Sequence, residues 1–320
     1  MNHRSSPRNR ALNFAFPQNG ELLSGTEESG LFVARDGQIC LQLVPEWEEL
    51  LGAISRLGPL GIVTSHGEMR QALCVSGIEF VPMPGGNVYV GLSDAGSELT
   101  LDAQDWMFAL AVEEKTTLGT LFGFQFFDHQ GRGQMKILLA NESNLDGFVG
   151  IAMRFGADGV PPDSVESDQP HALVAAAQSG IAPDVETVRC LWPRTRHNIP
   201  GRFFPGMPGV TRQAALRAVG HEWATPMEAE KLVRAILDAR RKQTPLRCTL
   251  FNCHLAHSIK LMPRRLERCE RFLHVFDEAA EFHVPLTDMD IWRLWHVESC
   301  SFSVDLLLPQ GDRLGLIEGW

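Results

Sequence analysis

The chain carries the same hairpin pattern twice, once in each half. In the first copy, residues 124–131 run from an apolar stretch into a polar turn that ends in glycine, and a second apolar run follows at 135–139. The second copy places residues 301–311 before the apolar run 314–317, with its glycine at the equivalent position. Two apolar runs around such a turn are typical of a β-hairpin. Because a copied hairpin implies a copied domain, the sequence predicts an internal duplication.

Three further pairs of segments recur in the same order in both halves. One pair is amphipathic with a helical period, one is an apolar strand, and one carries an acidic residue before a tryptophan-bearing strand. The pairs are 47–57 with 229–239, 60–64 with 247–251, and 101–112 with 286–297. Each half is therefore predicted to contain a helix followed by short antiparallel strands that end in the hairpin.

Composition and charge disfavour several classes of protein. No apolar run approaches the roughly 18 residues of a membrane helix, and the polar, basic residues 1–12 lack the apolar core of a secretory signal. The seven cysteines form no Cys-x-x-Cys pair, which favours reduced thiols in a cytoplasm. A net charge of −10 argues against nonspecific nucleic-acid binding. We therefore expect a cytoplasmic protein with neither membrane insertion nor a nucleic-acid partner, although arginines concentrated in the second half leave room for an anionic ligand.

The order of the motifs resembles the HemS/ChuS family of bacterial cytoplasmic haem-utilisation proteins. Residues 124–131 are close to the Phe-Phe-Asp-His-Gln-Gly hairpin of that family. In the second half, Trp192, the pair Phe203 and Phe204, and the Gly-Val-Thr-Arg segment 209–212 are similar to the tryptophan, the Phe-Phe turn and the Gly-Val-Ser-Arg motif of the family. The resemblance extends over roughly residues 20–320.

This resemblance implies an α+β fold of two tandem structural repeats, each a large antiparallel β-sheet with flanking helices. A chain of 320 residues has room for two domains of about 150 residues each. The proline-rich polar stretch between the repeats is the predicted linker, with a short helix at 172–178, and the N-terminal residues are a predicted disordered tail. The predicted boundaries are 1–20 for the tail, 21–155 for the first repeat, 156–183 for the linker and 184–320 for the second repeat.

The resemblance also implies haem as the ligand. Imidazole binds iron well, and arginine pairs with carboxylates such as the haem propionates. His197 is the histidine nearest to the family's iron ligand and is the predicted ligand here, with His66 and His257 as further haem-binding candidates. Arg202 and Arg212 are the candidates for the propionates, and Arg212 is the one that matches the family motif cleanly.

Three positions depart from the family's haem site. Residues 201–202 stand where the family has a histidine before Phe-Phe, Asp102 lies in or near the place of an arginine, and residues 296–300 lack a lysine. Each missing ligand or counter-charge costs on the order of 1–3 kcal/mol. Two alternatives therefore stay open: Arg212 pairs with a nearby carboxylate at a helix start, and His197 is a solvent-facing loop residue.

A second group of residues has the chemistry of metal ligands. Cys248, Cys253, His254 and His257 are spaced Cys-x4-Cys-His-x2-His. On the predicted strand, however, the two histidines fall on opposite faces, whereas zinc sites take their ligands from turns. Positions in the core or on a sheet face are therefore favoured for these residues.

Three functions are compatible with the sequence. The first is haem binding for trafficking, storage or degradation in iron acquisition. The second is a non-enzymatic binding or scaffold protein of the same duplicated fold that has lost haem binding. The third is a haem-degrading, oxygenase-like enzyme, because the porphyrin itself would supply the reactivity. A haem transporter or an electron donor would be the partner, and the sequence decides neither enzymatic activity nor the oligomeric state.

Overall fold

A computed structural model describes residues 39–44, 46–85, 87–116, 119–128, 131, 133–140, 144–157, 182–192, 204, 206–207, 209–252, 254–295 and 302–319. The helices in this part of the chain are α1 (Trp47–Ser55), α2 (Leu145–Phe155), α3 (Val185–Leu191), α4 (Arg212–Ala218) and α5 (Ala229–Lys242). The strands of the first half are β1 (Ile39–Leu43), β2 (Leu60–His66), β3 (Met69–Val75), β4 (Ile78–Pro82), β5 (Val88–Ser93), β6 (Glu98–Asp102), β7 (Trp106–Thr116), β8 (Gly119–Asp128) and β9 (Gly133–Leu139). Those of the second half are β10 (Ala224–Pro226), β11 (Leu246–Phe251), β12 (Leu255–Leu261), β13 (Arg265–Arg268), β14 (Phe272–Phe276), β15 (Ala280–Pro285), β16 (Asp290–Leu294), β17 (Phe302–Leu307) and β18 (Arg313–Gly319).

The described residues divide into two compact units. Unit 1 contains residues 39–65, 71–157 and 278–281, and unit 2 contains residues 66–70, 182–277 and 282–319. The repeat boundaries at residues 155 and 184 stay a prediction, because most of the linker lies outside the described residues. The predicted tail at 1–20 and the predicted helix at 172–178 also lie outside them.

The strands form two large antiparallel sheets in which the same strand order occurs twice. In unit 1 the order is β1-β7-β8-β9-β2-β3, and in unit 2 it is β10-β16-β17-β18-β11-β12. The pairs β1–β7, β7–β8, β8–β9 and β2–β9 are antiparallel, and so are their counterparts β10–β16, β16–β17, β17–β18 and β11–β18. The predicted α+β fold with two tandem repeats is confirmed.

The two copied hairpins agree in detail. The backbone N–H of Gly131 donates to the Asp128 carbonyl at 2.9 Å, and that of Gly311 donates to the Leu308 carbonyl at 2.8 Å. Both glycines have positive φ angles, 71° and 91°, which favour a residue without a Cβ atom. The pairing register also shifts at equivalent places, between residues 126 and 127 and between residues 306 and 307. The turn glycine and an irregularity in the strand are therefore both part of the repeated unit.

The two predicted amphipathic helices are α1 and α5. Helix α1 has Glu48 and Glu49 in its first turn, where they complement the helix dipole. Its apolar stripe, which includes Leu50 and Ile54, is buried. Helix α5 runs three residues beyond the predicted end and stops at Gln243, whose φ of 52° is left-handed. Among the helices of the described residues, none is both long and apolar enough to cross a bilayer.

Candidate functional site

Three charged side chains are buried together in unit 2, and we call Arg212, Asp305 and Arg313 the ionic cluster. Their residues are only 2%, 0% and 3% exposed. The Asp305 carboxylate on β17 accepts a hydrogen bond from Nε of Arg212 and another, 2.8 Å long, from Nε of Arg313. One carboxylate thus binds two guanidinium groups in the interior, where charged groups are stable only when they are paired.

Helix α4 and the sheet of unit 2 determine the position of the ionic cluster. Thr211 caps the helix, since its Oγ1 accepts a hydrogen bond from the Ala214 N–H at 3.2 Å, and this makes Arg212 the first helical residue. Asp305 lies directly opposite Trp292 on β16 and Leu316 on β18. Both of these apolar side chains belong to the core that includes α3 and α4. The cluster therefore lies on the helix-covered face of the sheet.

Arg313 is held by electrostatic and aromatic contacts. Burial lowers the pKa of its guanidinium to about 10, and the charge of Arg212 acts in the same direction, whereas Asp305 and Glu318 raise it. The guanidinium carbon lies 4.0 Å from the centre of the Phe251 ring, a cation–π contact. Arg313 therefore remains charged at pH 7 and needs its carboxylate partner.

His66, the last residue of β2, approaches the same region of unit 2. Its Nδ1 lies 2.5 Å from the carbonyl oxygen of Phe251, and its side chain is buried. Because a carbonyl can only accept a hydrogen bond, Nδ1 carries a proton, and in the neutral ring Nε2 then carries the lone pair. Gly67 follows with a φ of 57°, which turns the chain directly after the histidine. Phe251 thus connects His66, through its backbone, with Arg313, through its ring.

The structure separates His257 from the ionic cluster. In the pairing of β11 with β12, His257 lies opposite Leu250, whereas the next residue pair is Phe251 with Ala256. Since successive side chains of a strand point to opposite faces, His257 lies on the other face from the Phe251 ring. It is fully buried, and burial lowers its pKa to about 3. His257 is a neutral core residue at pH 7.

A fall in pH is expected to destabilise the native protein more than it destabilises a His257→Gln variant. As the pH falls from 6.5 towards 3, the unfolded state binds a proton at this histidine that the folded state excludes. The unfolding free energy then decreases by about 1.4 kcal/mol per pH unit, and this contribution is complete only above pH 6.5. In urea denaturation, the difference between pH 7 and pH 5 should be about 2 kcal/mol smaller in the variant. The control is His221→Gln, at an exposed position, and equal pH dependence in all three proteins would contradict the expectation.

The remaining residues that the sequence offered as haem or metal ligands include His197, Arg202, Cys253 and His254. His197, Arg202 and Cys253 lie outside the described residues. His254 precedes β12 rather than lying within it, which corrects its predicted place on a strand. Within the described residues, no three histidine, cysteine, aspartate or glutamate side chains form a group that could hold a metal ion.

Comparison with known proteins agrees with this fold. A family model described as haem utilisation ChuX/HutX matches residues 41–148. The hemin transport protein HemS of Yersinia enterocolitica is 22% identical over 311 residues, covering 93% of this chain and 85% of that protein. The predicted resemblance to the HemS/ChuS haem-utilisation family is confirmed.

Two solved structures have the same fold as this chain. Holo-PhuS, a heme-binding protein from Pseudomonas aeruginosa, superposes with a TM-score of 0.73 at 22% identity, over 88% of this chain and 81% of that chain. The heme degrading enzyme ChuS from Escherichia coli O157:H7 superposes with a TM-score of 0.67 at 18% identity, again over 88% and 81% of the two chains.

Two residues at positions of HemS/ChuS motifs have clear structural contacts. Asp102, which lies in or near the place where the resemblance implies an arginine, accepts a hydrogen bond from the Gln104 N–H at 3.1 Å and caps the 3-10 turn that follows β6. Trp192 is buried, donates from Nε1 to the Trp295 carbonyl at 3.0 Å, and stacks on Phe204. The tryptophan of the motif therefore packs beside the helices of unit 2, and the substituted position serves the local backbone.

The sequence reasoning missed Asp305 and Arg313. Both were treated only as parts of the second hairpin, although a signal was available. Asp305 is a charged residue within an otherwise apolar strand, and a carboxylate in such a strand requires a buried cationic partner.

Proposed function

We propose that this protein binds haem in the cytoplasm and serves haem trafficking, storage or degradation in iron acquisition. The arrangement of His66 carries this proposal. With Nδ1 bound to the Phe251 carbonyl oxygen, Nε2 is the ring nitrogen that we propose as the iron ligand, and imidazole is a suitable ligand for iron. Histidines that bind metals commonly donate their other ring N–H to a carbonyl, which fixes the tautomer and the orientation of the ring.

We propose a structural role for Arg212 in place of the predicted contact with a haem propionate. Its guanidinium is engaged by Asp305 in the interior, and this contact fixes the start of α4. We assign the propionates to Arg202 instead and regard His197 as the candidate for a second axial ligand. His257 is left out of the proposed site, because it faces away from the Phe251 ring.

The relatives supply the range of roles within this proposal. HemS is named a hemin transport protein, PhuS a heme-binding protein and ChuS a heme degrading enzyme. Haem is common to these three names, so we propose haem binding first. Degradation would add an electron donor as partner, and bound haem would itself supply the reactivity. Transport would add a haem transporter as partner.

A titration of the purified protein with haemin is expected to give a saturable shift of the Soret band at one haemin per chain. The physical reason is the replacement of water at the iron by the His66 imidazole. The control is a haemin titration of buffer that contains free imidazole but no protein, which measures the spectral change from imidazole coordination alone. A flat titration would contradict haem binding. Loss of the Soret band with reductant in the presence of catalase, together with an open tetrapyrrole product, would assign degradation.

A second candidate function is that of a scaffold or binding protein without haem. Two observations favour it: Arg212 is paired with Asp305, and Asp102, in or near the expected place of an arginine, accepts a hydrogen bond from the Gln104 N–H. A flat haemin titration of a protein that is folded by circular dichroism would support this second function.

A further inference from the structure

Two histidines face each other in unit 2, and neither is among the residues proposed to bind haem. The ring centres of His274 on β14 and His283 on β15 lie 4.1 Å apart, with the ring planes inclined by 34°. His283 is only 6% exposed, and its Nε2 has no hydrogen-bond partner among the described residues. A buried polar atom without a partner costs about 1–3 kcal/mol, so it is either tolerated at that cost or satisfied by a ligand.

His274 lies between the buried His283 ring and the protein surface. Its ring is half-buried, in contrast to that of His283. Phe272 packs edge-on against His283 at 4.5 Å, and Phe276 lies parallel to His274 at 6.2 Å. The imidazole pair therefore has an apolar aromatic border and one side that opens towards solvent.

A carboxylate lies next to the pair. Glu267 on β13 is directly opposite His274 in the pairing of β13 with β14, and residues opposite each other have their Cβ atoms about 4.5–5.5 Å apart. Its contact with Arg265, at 3.4 Å, is an exposed ion pair and is therefore weak. One glutamate and two imidazoles are the side chains that divalent transition metals bind. The described residues contain no preassembled group of three such ligands, so Glu267 must rotate away from Arg265 to complete the set.

We propose that His274 and His283 bind a divalent transition-metal ion, such as Co²⁺, Ni²⁺ or Zn²⁺, with Glu267 and water as the other ligands. Arg70, which is buried at 5% exposure, is a charged group that opposes this binding, because its positive charge acts on His283. A bound anion would instead be attracted by Arg70. The effect of removing this charge therefore distinguishes a metal cation from an anion.

The experiment is a titration of the reduced, haem-free protein with Co²⁺, followed by visible absorption and by calorimetry. Native protein is expected to give d–d bands without thiolate charge transfer, which separates this site from the exposed thiols of Cys190 and Cys269. His274→Phe and His283→Asn should each weaken binding about tenfold or more and reduce the bands. Arg70→Met should tighten binding several-fold, because a like charge is removed.

The matched control is His221→Asn, an exposed histidine, which should leave the affinity unchanged. If His283→Asn fails to fold, His274→Phe and Glu267→Gln decide the question, since both positions are only partly buried or exposed. Equal Co²⁺ affinity in the native protein and in His274→Phe would overturn the metal site. Weaker binding in Arg70→Met, together with phosphate binding by the native protein, would overturn it in favour of an anion site. Neither result depends on whether the protein binds haem.

Discussion

Replacing Asp305 with asparagine is expected to lower the free energy of unfolding by about 3–5 kcal/mol at pH 7. Asp305 is fully buried and accepts hydrogen bonds from Nε of Arg212 and Nε of Arg313. Asparagine keeps the shape of the side chain but removes its charge, so two guanidinium groups stay buried without the carboxylate that binds both. Urea denaturation followed by circular dichroism measures the change.

Asp290→Asn is the matched control for this charge removal. Asp290 accepts a hydrogen bond from Nε2 of Gln213 at 2.5 Å, but its side chain is 41% exposed. Water can therefore solvate the groups that lose their partner, and the expected loss is about 1 kcal/mol or less. Equal destabilisation by the two aspartate replacements would show that the ionic cluster does not have the predicted special role in stability.

The parts of the fold that could be predicted are those that depend on local pattern. The hairpin around Gly131 and its copy around Gly311 were predicted from two apolar runs and a glycine, and both glycines have the positive φ that such a turn requires. Helix α1 followed from an apolar stripe of helical period that contains Leu50 and Ile54. Each of these patterns lies within about ten residues of sequence, so it can be recognised without knowledge of the tertiary structure.

The contacts of the candidate site could be predicted only in kind. The sequence allowed a carboxylate partner for Arg212 as an alternative to a haem propionate. It could not identify that partner as Asp305, because Asp305 is 93 residues further along the chain. The pair forms only when α4 packs on the sheet with β17 in register. The contact of His66 with the Phe251 carbonyl spans 185 residues, and a backbone carbonyl has no signature in the sequence. The tautomer of His66, which decides its chemistry, therefore requires the three-dimensional structure.

Replacing His66 with alanine is expected to weaken haemin binding by about 100-fold, which corresponds to about 2.7 kcal/mol. The proposed site loses the imidazole whose Nδ1 is fixed by the Phe251 carbonyl oxygen, and an orientation that is fixed before binding costs no entropy when the ligand arrives. Haemin titrations of the native protein and the variant, followed in the Soret region, measure the loss. His221→Ala, at an exposed position, is the control for general effects of removing a histidine.

Two further measurements separate the identity of the ligand from the integrity of the site. If His197→Ala removes the Soret shift while His66→Ala retains it, His66 is the wrong ligand and haem binding itself stands. If both variants weaken binding, both histidines act on the haem. Free imidazole added to His66→Ala should restore the native spectrum, because the missing ligand can enter the space that alanine leaves. Imidazole cannot restore a site that has unfolded, so rescue assigns the loss to the ligand rather than to the fold.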